Sequence, residues 1–359
     1  MKEDESECHS LFAFFFNFGS NAVVLGSDKI NRRGSAASAK TELSSAKIVI
    51  RSSVHEPVPN AQVSESKCDF PQLVISRIMN KLRKGDSMYK MIVSDLDESL
   101  LNDAGQVSER DRATILRLQA QQVKFVPNTG RGFASVQALL KTIGTYQQPD
   151  QYVISYNGGV VVANQANQIL RHHYLPFAVA DQLYRLALAE PDLGIHLYTV
   201  HHVYVRNLDA DEVRYIKSRG VDVLPLTGAD LSAFAKRPIV KIIMKNLDPE
   251  KLAAFRARAE RQAAEPLTVT YSSNRYVEFN PANVNKGSAT LELGQALGIK
   301  PEEIIALGDN DNDFSMIQAA GCGVAVQNAV PHIKEAANLI LTANNNQDPI
   351  TEIYHRLFQ

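Results

Sequence analysis

Asp95 and Asp97 stand two apart in DLDESLL (95–101), directly after the apolar run KMIVS. Where a strand gives way to a loop, such a pair can turn two carboxylates toward one point. That arrangement suits a hard cation, or a nucleophile beside a proton donor; a solvated strand end carries the same residues. NTGR at 128–131 offers a threonine hydroxyl and backbone N–H groups at a strand-to-helix junction, which make a small anion nest or a plain glycine turn. Lys286, in VNKGSATLELGQALG, opens a helix, where its charge opposes the dipole unless an anion lies beside it. GDNDND at 308–313 follows the apolar IIAL. Asp309, Asp311 and Asp313 fit the first half of a calcium loop, but that pattern then needs Gly at its sixth position and Glu at its twelfth. Phe314 and Ala320 stand there, so the calcium-loop reading fails.

The elements that must position these residues alternate in type. YKMIVSDLD reads as a buried strand, ERDRATILRLQAQQ (109–122) as a helix, VKFVPNTGR (123–131) as a strand and GFASVQALLKTIG (132–144) as a helix. QYVISYNGGVVVAN (151–164) is a strand, an Asn-Gly turn and a strand, the signature of a hairpin. This order predicts an α/β fold with a doubly wound, mostly parallel, Rossmann-like sheet whose site lies beyond the carboxyl ends of its strands. Residues 173–270 have another rhythm: helix, the alternating run GIHLYTVHHVYVRN read as one edge strand, a helix near 209–219, the strand PIVKIIMKN, a charged helix and the strand LTVTYSS. They predict an inserted α+β domain, and the framework resumes with EEIIALGDNDND and CGVAVQNA. On a single strand His196 and His202 would share a face about 20 Å apart at ~3.3 Å per residue, with His201 on the other, so the histidines are expected not to hold a metal. Cys322 is expected in the core.

Composition divides the chain. Residues 1–87 hold 14 serines and 88–359 hold 11, and the first stretch lacks sustained periodicity. It reads as a poorly ordered or non-native N-terminal extension with one helix-like run at 71–84. Its acidic start, MKEDESE, suits neither a secretory signal nor a transit peptide. A formal charge of -1 gives no electrostatic support for nucleic-acid or membrane binding, and three cysteines without a CxxC pair exclude a disulfide scaffold. No apolar run reaches the ~18 residues of a membrane span. The expectation is a cytoplasmic protein; its oligomeric state is not legible.

Together the four clusters form a magnesium-dependent phosphoryl-transfer centre, and here the chain resembles the haloacid dehalogenase (HAD) superfamily, specifically the Cof-type phosphatases (subfamily IIB), whose cap lies between the second and third motifs. SYNGG, the NKG at 285–287, GDNDND and AGCGVAVQNA sit where that family carries similar strings. The resemblance covers 89–359. It implies a HAD core from 88–172 and 271–359, a specificity-setting cap from 173–270, and hydrolysis of small phosphorylated metabolites such as sugar phosphates. Asp95 would be the nucleophile that becomes an aspartyl phosphate, and Asp97 the acid and base. Mg²⁺ would be held by Asp95, the Asp97 carbonyl and Asp309. Thr129, Gly130 and Lys286 would hold the phosphoryl oxygens, Asn312 would contact phosphate, and Asp313 would orient Lys286 or a metal-bound water. Arg131 and Asn157 would face the leaving group. Glu98 stands where the family commonly has Gly, Ser99 where it has Thr, and Pro349 where it often has Gly. A phosphomutase would use the same aspartyl phosphate. A non-catalytic phospho-acceptor of the receiver type would place its acceptor on a later strand than the acidic pair, whereas here the first strand carries both aspartates.

Overall fold

The computed structural model describes residues 88–359 and, before them, the backbone of three strands. These are β1 (Phe14–Phe18), β2 (Asn21–Gly26) and β3 (Lys47–Ser52), paired antiparallel in that order. The expectation for the rest of 1–87, including the helical run at 71–84, lies outside the described residues.

Strands β4 (Met91–Ser94), β5 (Lys124–Pro127), β15 (Ile304–Gly308), β16 (Cys322–Ala325) and β17 (Leu339–Ile340) form a fully parallel sheet in the order β17-β16-β15-β4-β5. Alternate side chains enter different apolar layers. Ile92, Ile305 and Leu307 join one, and Met91, Val93, Ile304 and Ala306 join the other. Helices α1 (Glu109–Ala120) and α9 (Pro349–Leu357) cover the first through Ile115, Leu118, Ile350 and Ile353. Helices α6 (Lys286–Ala296) and α7 (Phe314–Ala319) cover the second through Ala289, Leu293 and Met316. Burial on both faces is why these strands read as continuous apolar runs. Beyond β5, an Asn128–Ile154 bridge leads to the antiparallel β6 (Tyr152–Ser155), β7 (Val160–Ala163) and β8 (Gln168–His172). Helix α2 (Gln137–Thr142) precedes them.

The inserted unit is a six-stranded sheet in the order β11-β10-β9-β12-β14-β13. Its strands are β9 (Gly194–Thr199), β10 (Val203–Arg206), β11 (Val223–Pro225), β12 (Ile239–Lys245), β13 (Leu267–Ser272) and β14 (Tyr276–Pro281). Helices α3 (Phe177–Leu188) and α5 (Pro249–Gln262) cover one face, packing Leu183, Tyr184, Leu252 and Phe255 on Ile195, Leu197, Ile242, Met244, Val277 and Phe279. Each such fully buried side chain contributes roughly 1.5–3 kcal/mol. Helix α5 starts where the Asp248 side chain accepts from the Glu250 and Lys251 N–H groups, with Pro249 in its first turn. The remaining α-helices among the described residues are α4 (Ala210–Ser218), between β10 and β11, and α8 (Pro331–Ala336), between β16 and β17.

Two expectations change. GIHLYTVHHVYVRN is two antiparallel strands, with Tyr198 opposite Val203; His201 and His202 lie in the intervening turn, closed by Thr199 N–H to the His202 carbonyl at 2.9 Å. The inserted sheet also passes the expected boundary at 270, because β13 and β14 form a hairpin around Ser273 and Asn274, both at positive φ. Pro349 sits in the first turn of α9 after Asp348 at φ 59, so that turn is built on an aspartate.

Candidate active site

The first aspartate leaves the sheet at the carboxyl end of β4, held by Asp95 N–H to the Leu307 carbonyl at 2.9 Å. Lys286, wholly buried at the first position of α6, donates to Asp95 and, at 2.6 Å, to Asp313 Oδ1. The helix can begin with this lysine because Asn285 caps it, accepting from Ser288 N–H at 2.8 Å, while the aspartates supply the anion its position demands. Burial works against the Lys286 ammonium, but Asp313 and Asp95 outweigh it and raise its pKa. Burial pushes Asp95 up to about 7, with Lys286 pulling the other way.

The acidic loop after β15 folds back on itself. Asp313 Oδ2 accepts the N–H groups of Asp309 at 2.9 Å and Asn310 at 3.1 Å. A Cβ on Gly308 would lie 2.5 Å from that of Asp313, so only glycine fits under this turn. Ser99 Oγ donates to Asp309 Oδ1 at 2.7 Å, and Asp311 turns outward to His332 at 2.6 Å. Burial, then Asp313 and Asp95, raise the Asp309 pKa well above the usual carboxylate value. Glu98 has φ 62, the left-handed conformation that favours glycine.

At the end of β5, Thr129 N–H donates to Ile154, and the Thr129 hydroxyl accepts the Arg131 N–H at 3.1 Å. Arg131 then grips Asp97 with two nitrogens, Nε to Oδ2 at 2.8 Å and Nη2 to Oδ1. A second guanidinium, Arg219 from the end of α4, also donates to Asp97 Oδ1.

The bare face of the inserted sheet closes over these groups. It carries His196 and Tyr198 on β9, Lys241 and Ile243 on β12, and Tyr276 and Glu278 on β14, which alternate with the residues of its apolar layer. The cavity between them is about 250 Å³, and Asp95, Asp97, Thr129, Gly130, Arg131, Asp309 and Asn312 line its other side. Lys241 pairs with Glu278 and donates to the Gly130 carbonyl at 2.9 Å, and Tyr156 Oη donates to the Val200 carbonyl at 2.8 Å. His196 is buried, with Nε2 3.5 Å from Glu212; burial, then Lys241 and Lys245, lower its pKa to about 3, so it is neutral.

The sequence pattern of the haloacid dehalogenase-like hydrolases matches residues 92–353. The chain belongs to this family. YxeH of Bacillus subtilis is 33% identical to this HAD protein over 270 residues, 75% of this chain and 98% of its own. The 5-amino-6-(5-phospho-D-ribitylamino)uracil phosphatase YitU of the same organism is 27% identical, over 75% of this chain and 97% of its own. The crystal structure of a haloacid dehalogenase-like hydrolase from Bacteroides thetaiotaomicron superposes with a TM-score of 0.66 at 28% identity, covering 75% of this chain and 99% of that one. The six-stranded sheet that lies between Thr129 and Lys286 is the inserted cap.

Carboxylate oxygens of Asp95, Asp309 and Asp313 lie within 4.8 Å of one another. Asp313 has both oxygens engaged by Lys286 and the loop N–H groups, which leaves Asp95 and Asp309 to present one unbonded oxygen each among the described residues. The free oxygens of Asp95 and Asp309 are hard donors that fit a divalent cation. Both side-chain oxygens of Asp97, expected to bind the metal through its backbone carbonyl, are taken by guanidinium nitrogens. Asn157, expected toward the leaving group, instead donates to Glu278 at 3.0 Å and accepts from Asn312 at 3.2 Å, and it does not line the cavity. Arg219, Lys241 and Glu278 went unmarked in the sequence. Lys241 and Glu278 sit at alternate positions among apolar strand residues, and that alternation was the available signal. Among the described residues no helix is long and apolar enough to cross a membrane.

Proposed function

We propose that this HAD hydrolase, a phosphatase of small phosphorylated compounds, is Mg²⁺-dependent, works through an aspartyl phosphate and takes sugar-phosphate-like monoesters in the cytoplasm. The observation that carries the reading is the buried Asp95–Lys286–Asp313 cluster with Asp309 beside it, at the carboxyl ends of a parallel sheet. Asp95 attacks phosphorus as the ester P–O bond breaks, and the leaving oxygen takes a proton from Asp97. Asp97 then takes a proton from the water that attacks the phosphorus, which frees phosphate and restores Asp95. Lys286 keeps Asp95 in place and sets positive charge beside the phosphoryl oxygens, and the Gly130 N–H and Thr129 hydroxyl are available to them. Asp95 and Asp309, with the Asp97 carbonyl, would hold Mg²⁺. The ion supplies charge neutralisation between carboxylate and phosphate, a repulsion of about 4 kcal/mol at ~4 Å and an effective dielectric of ~20. The cap's polar face and YitU, whose name specifies a phosphorylated ribityl compound, support a polyhydroxylated substrate. The buried free thiol of Cys322 suits a reducing compartment.

Hydrolysis of p-nitrophenyl phosphate is expected with Mg²⁺, to vanish in excess EDTA, and to fall about 10³-fold or more in Asp95→Asn. Undiminished activity in either case overturns the reading.

A further inference from the structure

The charges around the cavity are unevenly matched. Lys286 has two carboxylates, Asp95 and Asp313, and Lys241 has Glu278, but Arg131 and Arg219 share the single carboxylate of Asp97. Glu98 and Asp222 also line the cavity, yet both are exposed and neither forms an ion pair among the described residues. Glu98 acts on Arg219 through its charge without a hydrogen bond, so Asp97 is the only carboxylate among the described residues that hydrogen-bonds either arginine.

Arg219 is also held ready. It caps α4 before Gly220 at φ +64, and its guanidinium lies 4.8 Å from the Tyr215 ring centroid. Its Nη2 donates to Tyr215 Oη at 3.3 Å, and that hydroxyl donates to Ser273 at 2.8 Å. A stacked and hydrogen-bonded guanidinium loses little freedom on binding and favours a planar or tetrahedral oxyanion. Asp97 Oδ1 accepts from both guanidinium groups, and Oδ2 from Arg131 alone. Arg131 grips it with two nitrogens and Arg219 with one, so Arg219 is the arginine that another anion recruits more readily.

We propose that Arg219 is a specificity-determining residue that reads a second anionic group on the substrate, a carboxylate or a further phosphate near the phosphate ester. In the free enzyme the Asp97 carboxylate occupies the place of that group. With hydrogen bonds of ~3 Å on either side of Asp97, the second anion lies within about 6 Å of the leaving oxygen, a few bonds along the chain. The inference rests on the phosphatase reading and narrows its substrate class.

Competition against p-nitrophenyl phosphate hydrolysis tests it, whether or not the competitor is turned over. The competitors are glycerol 3-phosphate, 3-phosphoglycerate (a carboxylate in place of the hydroxymethyl group) and glycerol 1,3-bisphosphate. In the wild type, at least one of the doubly anionic compounds is expected to compete about tenfold or more better than glycerol 3-phosphate. Which one does so identifies the anion as carboxylate or phosphate. The preference should shrink to within about twofold in Arg219→Gln and be partly kept in Arg219→Lys. Equal competition in the wild type, or a preference retained in Arg219→Gln, overturns the proposal. Failure of the wild type to hydrolyse p-nitrophenyl phosphate at all would instead remove the phosphatase reading beneath it.

Discussion

The core sheet and the cap sheet each bury a lysine, and they use it differently. Lys286 in the core holds two aspartates, and Asp95 still presents an unbonded oxygen toward the cavity. Lys241 in the cap is spent on Glu278, the Gly130 carbonyl and the Tyr198 ring, 4.8 Å from its ammonium. Glu278 is likewise committed, to Ser272 and Asn157. The difference follows from architecture. A sheet covered on both faces can offer reactive groups only at the ends of its strands, whereas a sheet covered on one face offers a whole surface. The core end carries the buried acidic cluster; the cap face presents polar side chains to the cavity.

Substituting the two lysines is the strongest way to break that contrast. Lys286→Met is expected to lower kcat for p-nitrophenyl phosphate by about 10³-fold, and Lys241→Met by only about tenfold, with a rise in KM. Equal losses in steady-state kinetics would show that the cap lysine belongs to the chemistry.

Titration sharpens the comparison next. In the core, burial lifts Asp111 from 3.8 to about 6, against the hydrogen bonds it accepts from Thr351. Its folded pKa exceeds the unfolded one, so the stability it contributes is full below about pH 4 and is lost as pH rises through about 6. The span is about 3 kcal/mol. Denaturant melts should show the wild type losing stability relative to Asp111→Asn between those values. In the cap, the hydrogen bond from Lys245 holds Asp209 below the usual carboxylate range, so its contribution is lost in the opposite direction, as pH falls below 3.8.

The smallest expected effect concerns the support of Asp309. Ser99→Ala removes the 2.7 Å hydrogen bond to its carboxylate and should raise the Mg²⁺ concentration for half-maximal activity by about threefold to tenfold. An unchanged requirement would leave Asp309 oriented by its backbone alone.

The same contrast explains how far the sequence could be read. The core was legible because its strands are short apolar runs that end in the reactive residues themselves: IVS before Asp95, IIAL before Gly308 and Asp309. Alternation in the cap was legible too, but not which of its two classes faced the site, since that depends on where the insertion folds over. The turn at 200–202 contains no glycine, proline or asparagine, and so HLYTVHH looked like unbroken strand. The reversal at Ser273 and Asn274 did carry a turn residue, and the end of the cap could have been placed beyond it. Arg219 is far from Asp97 in sequence and belongs to no motif, so only the folded chain brings them together.

The alternation along β9, β12 and β14 has an evolutionary consequence. Residues 196, 198, 241, 243, 276 and 278 look into the cavity, while their immediate neighbours in the chain build the layer that keeps the cap folded. Cavity lining and foldability are therefore written in separate letters of the same strands. A combinatorial library confined to the cavity-facing letters can explore new substrates while the hydrophobic layer of the cap stays untouched.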